Sequence, residues 1–294
     1  MHYLLYHANC ADGFAAMCCA RLRLGTHNTT YRPIQYSDEV QFPPEIVRGD
    51  VVTYLDYTPK MPTIQSILDH EARIECLDHH ETAKPIHDDA LVPWESTFDL
   101  HRSGAGLAWD RWHGENDGRP QSIQLIQWRD LGHAWHLQHK SNSNTLQSFQ
   151  LHAFLMRTLP RTYDAWEPWL FRKLLEPALA IGQQILDLDA RLIAAATADP
   201  LWILLGPHKV PAVTGIPYSI VSDALNALAE KHTDAPFAAA WFIDRETGLI
   251  TYSLRGRGDF HCGDFAKTQD KDGGGHPNAA GFTTDKAPVL WSTI

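Results

Sequence analysis

Short apolar runs and helical repeats alternate along the first third of the chain. His2 to Tyr6 is a run of strand length, and beyond a polar turn apolar residues recur at helical spacing from Gly13 to Leu24. Val51 to Leu55 reads as a strand, Ile64 to Glu71 as a helix and Ile74 to Leu77 as another strand. Strands apolar on both faces and separated by helices predict a parallel sheet covered by helices on both sides. Tryptophan-rich helical patterns follow over Ser103 to Trp112 and Ile123 to His136. A long helical stretch then runs from Tyr163 to Thr197, where the Asp199-Pro200 pair ends it.

From about Leu201 the pattern changes. Trp202 to Leu205, Ala238 to Asp244 and Leu249 to Leu254 read as strands, Ser219 to Lys231 as a helix, and Gly273-Gly274-Gly275-His276 as a glycine-rich loop. The expectation is an α/β chain of two domains. Residues 1–198 form a parallel-sheet domain with a helical linker over about 163–198, and residues 199–294 form a smaller α/β domain. A chain of 294 residues with 44% hydrophobic composition can bury the cores this requires. No internal repeat is visible.

Each of the three N-terminal strands ends in a polar cluster. These are His7-Ala8-Asn9-Cys10-Ala11-Asp12-Gly13, Asp56-Tyr57-Thr58-Pro59 and Asp78-His79-His80-Glu81. Ligands bind at the carboxyl ends of strands in open parallel sheets, so the three clusters converge on one crevice. Asp12, Asp56, Asp78, His79, His80 and Asp130 are hard and borderline donors, suited to manganese, magnesium, iron or zinc. Crowded carboxylates repel one another unless a cation neutralises them, and a cation so held can acidify a bound water and clamp phosphoryl oxygens.

Charge and composition narrow the partners. The formal net charge of −10 argues against sequence-independent binding of long nucleic acid, and so against long double-stranded DNA, while allowing a small anionic substrate in one pocket. No stretch approaches the ~20 apolar residues needed to span a bilayer, and the N-terminus lacks the basic and apolar regions of a signal peptide, so the expectation is a cytoplasmic protein without a membrane partner. Five cysteines without a CxxC pair read as reduced thiols. Of the ten tryptophans, Trp109, Trp112, Trp166 and Trp169 sit at helical spacing and read as core rather than base-stacking residues. His133, His136 and His139 recur every third residue and read as a solvated or interdomain helix face.

Leu77-Asp78-His79-His80 after an apolar strand resembles the name-giving motif of the DHH phosphoesterases. Tyr6 to Phe14 resembles that family's first motif, Leu55-Asp56-Tyr57 its second, and Asp130 within Gln127 to Leu131 its fourth. Gly273 to Phe282, with Ser253-Leu254-Arg255 upstream, resembles the DHH-associated C-terminal domain, so the likeness covers nearly the whole chain. It implies a two-domain enzyme with its active site in the interdomain cleft, as in the oligoribonucleases and nucleotide phosphodiesterases of the family. Asp12, Asp56, His79 and Asp130 would be metal ligands, with Asp56 in the bridging place. His80 would lie near the phosphate, and Asp78 would orient a ligand histidine. Gly273, Gly274, Gly275 and His276 would bind substrate with Arg255 and, secondarily, Arg257, while Ser103 of Ser103-Gly104-Ala105 would line the pocket.

The first motif departs from the family pattern. Cys10 stands where many members carry the first aspartate of a DxD pair, and Tyr6 stands where a histidine often precedes it, with His7 following. One metal site looks complete and the other altered. Either Cys10 is a thiolate ligand, or His7 reaches in, or the second metal binds weakly. The expected cofactor is Mn2+, with Mg2+, Fe2+ and Co2+ as alternatives. The expected substrate is a short single-stranded oligonucleotide or small nucleotide: a linear or cyclic dinucleotide, or a 3′-phosphoadenosine nucleotide. A pyrophosphate or polyphosphate hydrolase and a degenerate nucleotide-binding protein are the alternatives, and a homo-oligomer is left open.

Overall fold

The computed structural model describes all residues except 37, 39, 90–91, 115–117, 132–142, 271–272 and 292–294. The three histidines of the 133–139 repeat lie outside the described residues. The chain divides into two compact units, residues 1–186 and 187–294.

The first unit is built on a parallel sheet of β1 (His2–His7), β2 (Thr29–Ile34), β3 (Val51–Leu55), β4 (Arg73–Asp78) and β5 (Glu95–Phe98), in the order β2-β1-β3-β4-β5. Residue alternation along the strands divides the core in two. Leu4, Tyr6, Leu55 and Leu77 pack on one face against α1 (Ala11–Leu24), α4 (Gly104–His113), α5 (Gln121–Asp130) and further helices. Tyr3, Leu5, Val52, Tyr54, Ile74 and Cys76 pack on the other face, against Ile64 and Ile67 of α2 (Met61–Asp69). This is the doubly covered parallel sheet that two-faced apolar strands require. A short helix, α3 (Lys84–His87), lies between β4 and β5.

The sheet has two strands more than the apolar runs predict. β2 carries Arg32 and Pro33 at one edge, and β5, Glu-Ser-Thr-Phe, is largely exposed at the other. Edge strands can be short and polar because only one side is paired and little of the strand is buried. Strand order reverses between β1 and β3, which is where such sheets open a crevice at their carboxyl ends.

The remaining helices of this unit are α6 (Ser143–Thr158), α7 (Tyr163–Phe171) and α8 (Leu175–Ala198), the last running on into the second unit. The Tyr163 to Thr197 stretch is therefore two helices. The chain breaks at Lys173, whose φ of 58° is left-handed and cannot continue a helix. Trp166 is fully buried and Trp109 nearly so, with Trp112 and Trp169 packed against the same core, as expected of core residues.

The second unit holds a mixed sheet of β6 (Leu201–Leu205), β7 (His208–Thr214), β8 (Phe237–Ile243), β9 (Ile250–Gly256), β10 (Gly274–His276), β11 (Ala279–Thr284) and β12 (Val289–Leu290), in the order β10-β11-β9-β8-β7-β6-β12. Alternation again divides its faces. Phe237, Ala239 and Trp241 pack with Phe265 and Ala266 of α10 (Cys262–Gln269), whereas Ala238 and Ala240 pack with Leu225 and Leu228 of α9 (Val221–Lys231). The expected glycine-rich loop is the edge strand β10, whose three residues pair with β11 in a hairpin. Gly275, at φ 141°, lies so close to Ala279 and Ala280 that a Cβ there would overlap their backbone, which explains glycine at that position. Among the described residues no helix is long and apolar enough to cross a membrane.

Gly182 of α8 passes the backbone of α6 so closely that a Cβ would overlap the Gln150 carbonyl. Gly182→Val should force the two helices apart and destabilise the first unit by about 1–3 kcal/mol. Thermal unfolding read by circular dichroism checks this.

Candidate metal centre

Six side chains meet at the carboxyl ends of β1, β3 and β4. His7 ends β1, Asp12 lies in the first turn of α1, Asp56 follows β3, and Asp78, His79 and His80 end and follow β4. Asp130, the last residue of α5, completes the set. His79 Nε2 lies 3.1 Å from Asp56 Oδ1, 3.2 Å from Asp130 Oδ2 and 4.0 Å from Asp12 Oδ2. One imidazole nitrogen thus faces three carboxylates.

The electrostatics of this group are unfavourable without a cation. Asp12 is 1% exposed, and burial with the charges of Asp130 and Asp56 pushes its pKa well up. Burial and the Asp56 charge also raise Asp130, which sits at the C-terminal, electronegative end of α5. Burial would raise Asp56 too, but the hydrogen bond from His79 and the His7 and His80 imidazoles beside it outweigh burial and hold its carboxyl down. Burial alone would lower His79, and its contact with Asp56 and the surrounding carboxylates reverse the shift upward.

Three buried polar atoms at the centre have no hydrogen-bond partner among the described residues: His7 Nδ1, Asp12 Oδ2 and Asp56 Oδ2. Buried acceptors without donors are costly, and their convergence suits a cation. The donors group as Asp12, His79 and Asp130, as His7, Cys10 and Asp56, and as Asp56, Asp78, His79 and His80, each set within 4.8 Å. Carboxylate and imidazole donors fit a divalent ion such as manganese or magnesium.

Backbone devices hold these groups in place. Asp56 adopts a left-handed φ of 55°, and its N–H donates to the Leu77 carbonyl at 2.9 Å. Aspartate tolerates this conformation better than most residues. Asp12 Oδ1 accepts from the Ala105 N–H at 3.1 Å, so the amino-terminal end of α4 points at the carboxylate. Gly104 permits that approach, since a Cβ there would lie 2.8 Å from Asp12 Oδ2 and would overlap the Asp56 side chain. Nothing in the chain pattern marks Gly104 for this function.

Several expectations are refined. Asp78 is fully buried and orients His80 rather than the ring of His79: its Oδ1 lies 2.6 Å from His80 Nδ1 and accepts from the backbone N–H of His79 at 2.7 Å and of His80 at 3.3 Å. The hydroxyl of Thr58 donates to Asp78 Oδ2 from the other side. His80 is raised above its ordinary range by Asp78, and its ring remains partly exposed. Strand alternation sends Tyr6 into the core against Phe14, while His7 faces the centre. Cys10 precedes α1 beside His7 and Asp56, and burial with the charges of Asp56 and Asp12 pushes its thiol up. Ser103 is fully buried and caps α4, its hydroxyl accepting from the Gly106 N–H at 3.3 Å.

In the second unit a pocket of about 870 Å³ is lined by Arg255, Gly274, Gly275, Tyr218, Ser253 and Thr283, among others. Arg255 donates to Ser222 Oγ at 2.5 Å and to the Leu254 carbonyl at 2.9 Å. Gly273 and His276 are outside this lining, and Arg257 pairs with Glu230 at 3.5 Å on the surface.

No protein-family model matches the chain, and no curated protein matches it. Among solved structures it resembles the exonuclease RecJ bound to manganese, at 14% identity and a TM-score of 0.54, over 97% of this chain and 86% of that one. RecJ from Thermus thermophilus in complex with Mn2+ matches at 13% identity and a TM-score of 0.45 over 97% of this chain and 49% of that one, so the chain spans about half of its length. The pGpG-specific phosphodiesterase PggH from Vibrio cholerae matches at 12% identity and a TM-score of 0.48, over 96% of this chain and 92% of that one. The likeness to the first of these establishes an α/β fold of the RecJ type.

Manganese added to the metal-stripped chain should raise its melting temperature, the stabilisation reaching about 2.7 kcal/mol at a hundredfold excess over Kd. His79→Ala should abolish most of that shift. Gly104→Ala should reduce it by displacing Asp12 and Asp56, with differential scanning calorimetry as the measurement for both.

Proposed function

We propose that the chain is a metal-dependent phosphoesterase of the DHH type that hydrolyses a phosphate ester of a short oligonucleotide or small nucleotide. The observation that supports this best is the convergence of Asp12, Asp56, His79 and Asp130 on one point, with buried carboxylate oxygens that no hydrogen bond satisfies. Those four residues would hold a divalent cation, Mn2+ before Mg2+, Fe2+ or Co2+. Such an ion supplies an acidified water and neutralises phosphoryl oxygens. The RecJ structure of the same fold is that of an exonuclease bound to manganese, which agrees with both the ion and the ester.

His80 acts beside that centre. Asp78 fixes its Nδ1, so the ring is oriented and Nε2 is left to meet the substrate. From there it donates to a phosphoryl oxygen as charge develops, or gives its proton to the leaving oxygen. Asp78 is itself held by Thr58 and by the backbone N–H groups of His79 and His80, so it is a positioning residue. Arg255, in the lining of the second unit's pocket, offers a guanidinium for a phosphate, with Gly274 and Gly275 leaving room for it.

The substrate class follows from size and charge. A chain of net charge −10 does not track a polyanion over its surface, and a pocket near 870 Å³ suits one or two nucleotides. Linear and cyclic dinucleotides, di- to pentanucleotides and 3′-phosphoadenosine nucleotides are the candidates.

Turnover with manganese across those candidates and pyrophosphate tests the reading. One nucleotide class should be hydrolysed by wild type and not by His79→Ala. Silence across the panel by a chain that binds no metal would instead favour a degenerate nucleotide-binding protein. His80→Asn should lower kcat by about 10²–10⁴-fold while the manganese thermal shift persists. Arg255→Ala should raise KM by about tenfold or more, the magnitude of a lost charge-assisted hydrogen bond.

A further inference from the structure

We propose that His7, Cys10 and Asp56 form a second metal site of mixed nitrogen, sulfur and oxygen donors, selective for a borderline divalent cation of the zinc(II), iron(II) or cobalt(II) class. The inference rests on the reading of the adjacent Asp12, His79 and Asp130 group as a metal centre, and adds that the two positions differ in the ion they prefer.

The two oxygens of Asp56 serve different neighbours. Oδ1 lies 3.1 Å from His79 Nε2, while Oδ2 lies 3.5 Å from His7 Nδ1. Both Asp56 Oδ2 and His7 Nδ1 are buried without a hydrogen-bond partner among the described residues, and Asp56 is only 1% exposed. One donor atom from each of His7, Cys10 and Asp56 lies within 4.8 Å of the other two. Bonds of about 2.0–2.3 Å in a tetrahedral site set donors roughly 3.5 Å apart, the separation that His7 Nδ1 and Asp56 Oδ2 already have.

Donor chemistry then decides the ion. Thiolate and imidazole favour zinc, iron(II) and cobalt(II), whereas manganese and magnesium favour carboxylate and water. The Asp12, His79 and Asp130 side has no sulfur and two carboxylates, so it keeps the harder preference. On binding, the Cys10 thiol gives its proton to water and its sulfur becomes the ligand. Cys10 is the only cysteine in this position. Cys18, Cys19 and Cys262 lie in apolar cores, and the Cys76 thiol donates to the Tyr57 carbonyl at 3.3 Å.

Cobalt(II) titration of the metal-stripped full chain reads the site directly, because thiolate ligation gives a near-ultraviolet charge-transfer band that oxygen and nitrogen donors do not. Wild type should bind two ions per chain, and the band should saturate with one of them. Cys10→Ser should lose the band and keep one ion. Cys10→Asp should keep two ions without the band and shift competition from zinc toward manganese by about tenfold or more. X-ray absorption of the zinc-loaded wild type, which needs no variant to fold, should show one sulfur at about 2.3 Å. Two ions without a band, a band that survives Cys10→Ser, or a zinc shell without sulfur would each overturn the proposal. A single ion without a band, lost in His79→Ala, would overturn this site and leave the phosphoesterase reading standing. A wild type that binds no ion would remove both.

Discussion

Mutual repulsion among buried carboxylates is the constraint around which the first unit is organised. Asp12, Asp56 and Asp130 are brought together by three separate elements, and among the described residues no lysine or arginine pairs with them; the compensation comes from imidazoles and the amino-terminal end of α4. Such a cluster is tolerable in two ways, by proton uptake or by a cation, and the orphaned oxygens of Asp12 and Asp56 favour the second. The parallel sheet serves this arrangement. Reversal of strand order between β1 and β3 puts His7 and Asp56 on facing sides of one crevice, and β4 delivers the histidine pair from the next position.

Close backbone approach makes the centre compact. Small residues of α1 and α4, among them Ala15, Ala16 and Ala108, are fully buried together, and Gly104 lets the start of α4 reach Asp12 and Asp56. Larger side chains at this contact would separate the helices and with them the carboxylate from the N–H that steadies it. Packing of small residues therefore contributes to the electrostatics of the site, although none of these residues carries charge.

Much of this was legible in the chain, and the exceptions have physical causes. Asp56 and the Asp78-His79-His80 run stand out because charged residues directly after two-faced apolar strands have no structural reason to be there. Strands β2 and β5 escape detection because edge position frees them from the apolar pattern. Helix α6 is not among the elements predicted from the pattern, although Leu151, Phe154 and Leu155 bury along it. Gly104 and Thr58 act through distance and hydrogen bonding to residues far away in sequence, which spacing along the chain cannot express. The glycine run of the second unit was visible as composition, but its conformation depends on the β11 backbone it pairs with.

The loop after β4 has a kinetic meaning. One carboxylate, Asp78, gathers two consecutive backbone N–H groups, a side-chain hydroxyl and the His80 ring, so the turn is held shut by its own residues. A site preorganised in this manner loses little entropy when an ion arrives. An ion taken up there would exchange at a rate set by loss of its hydration shell rather than by rearrangement of the turn.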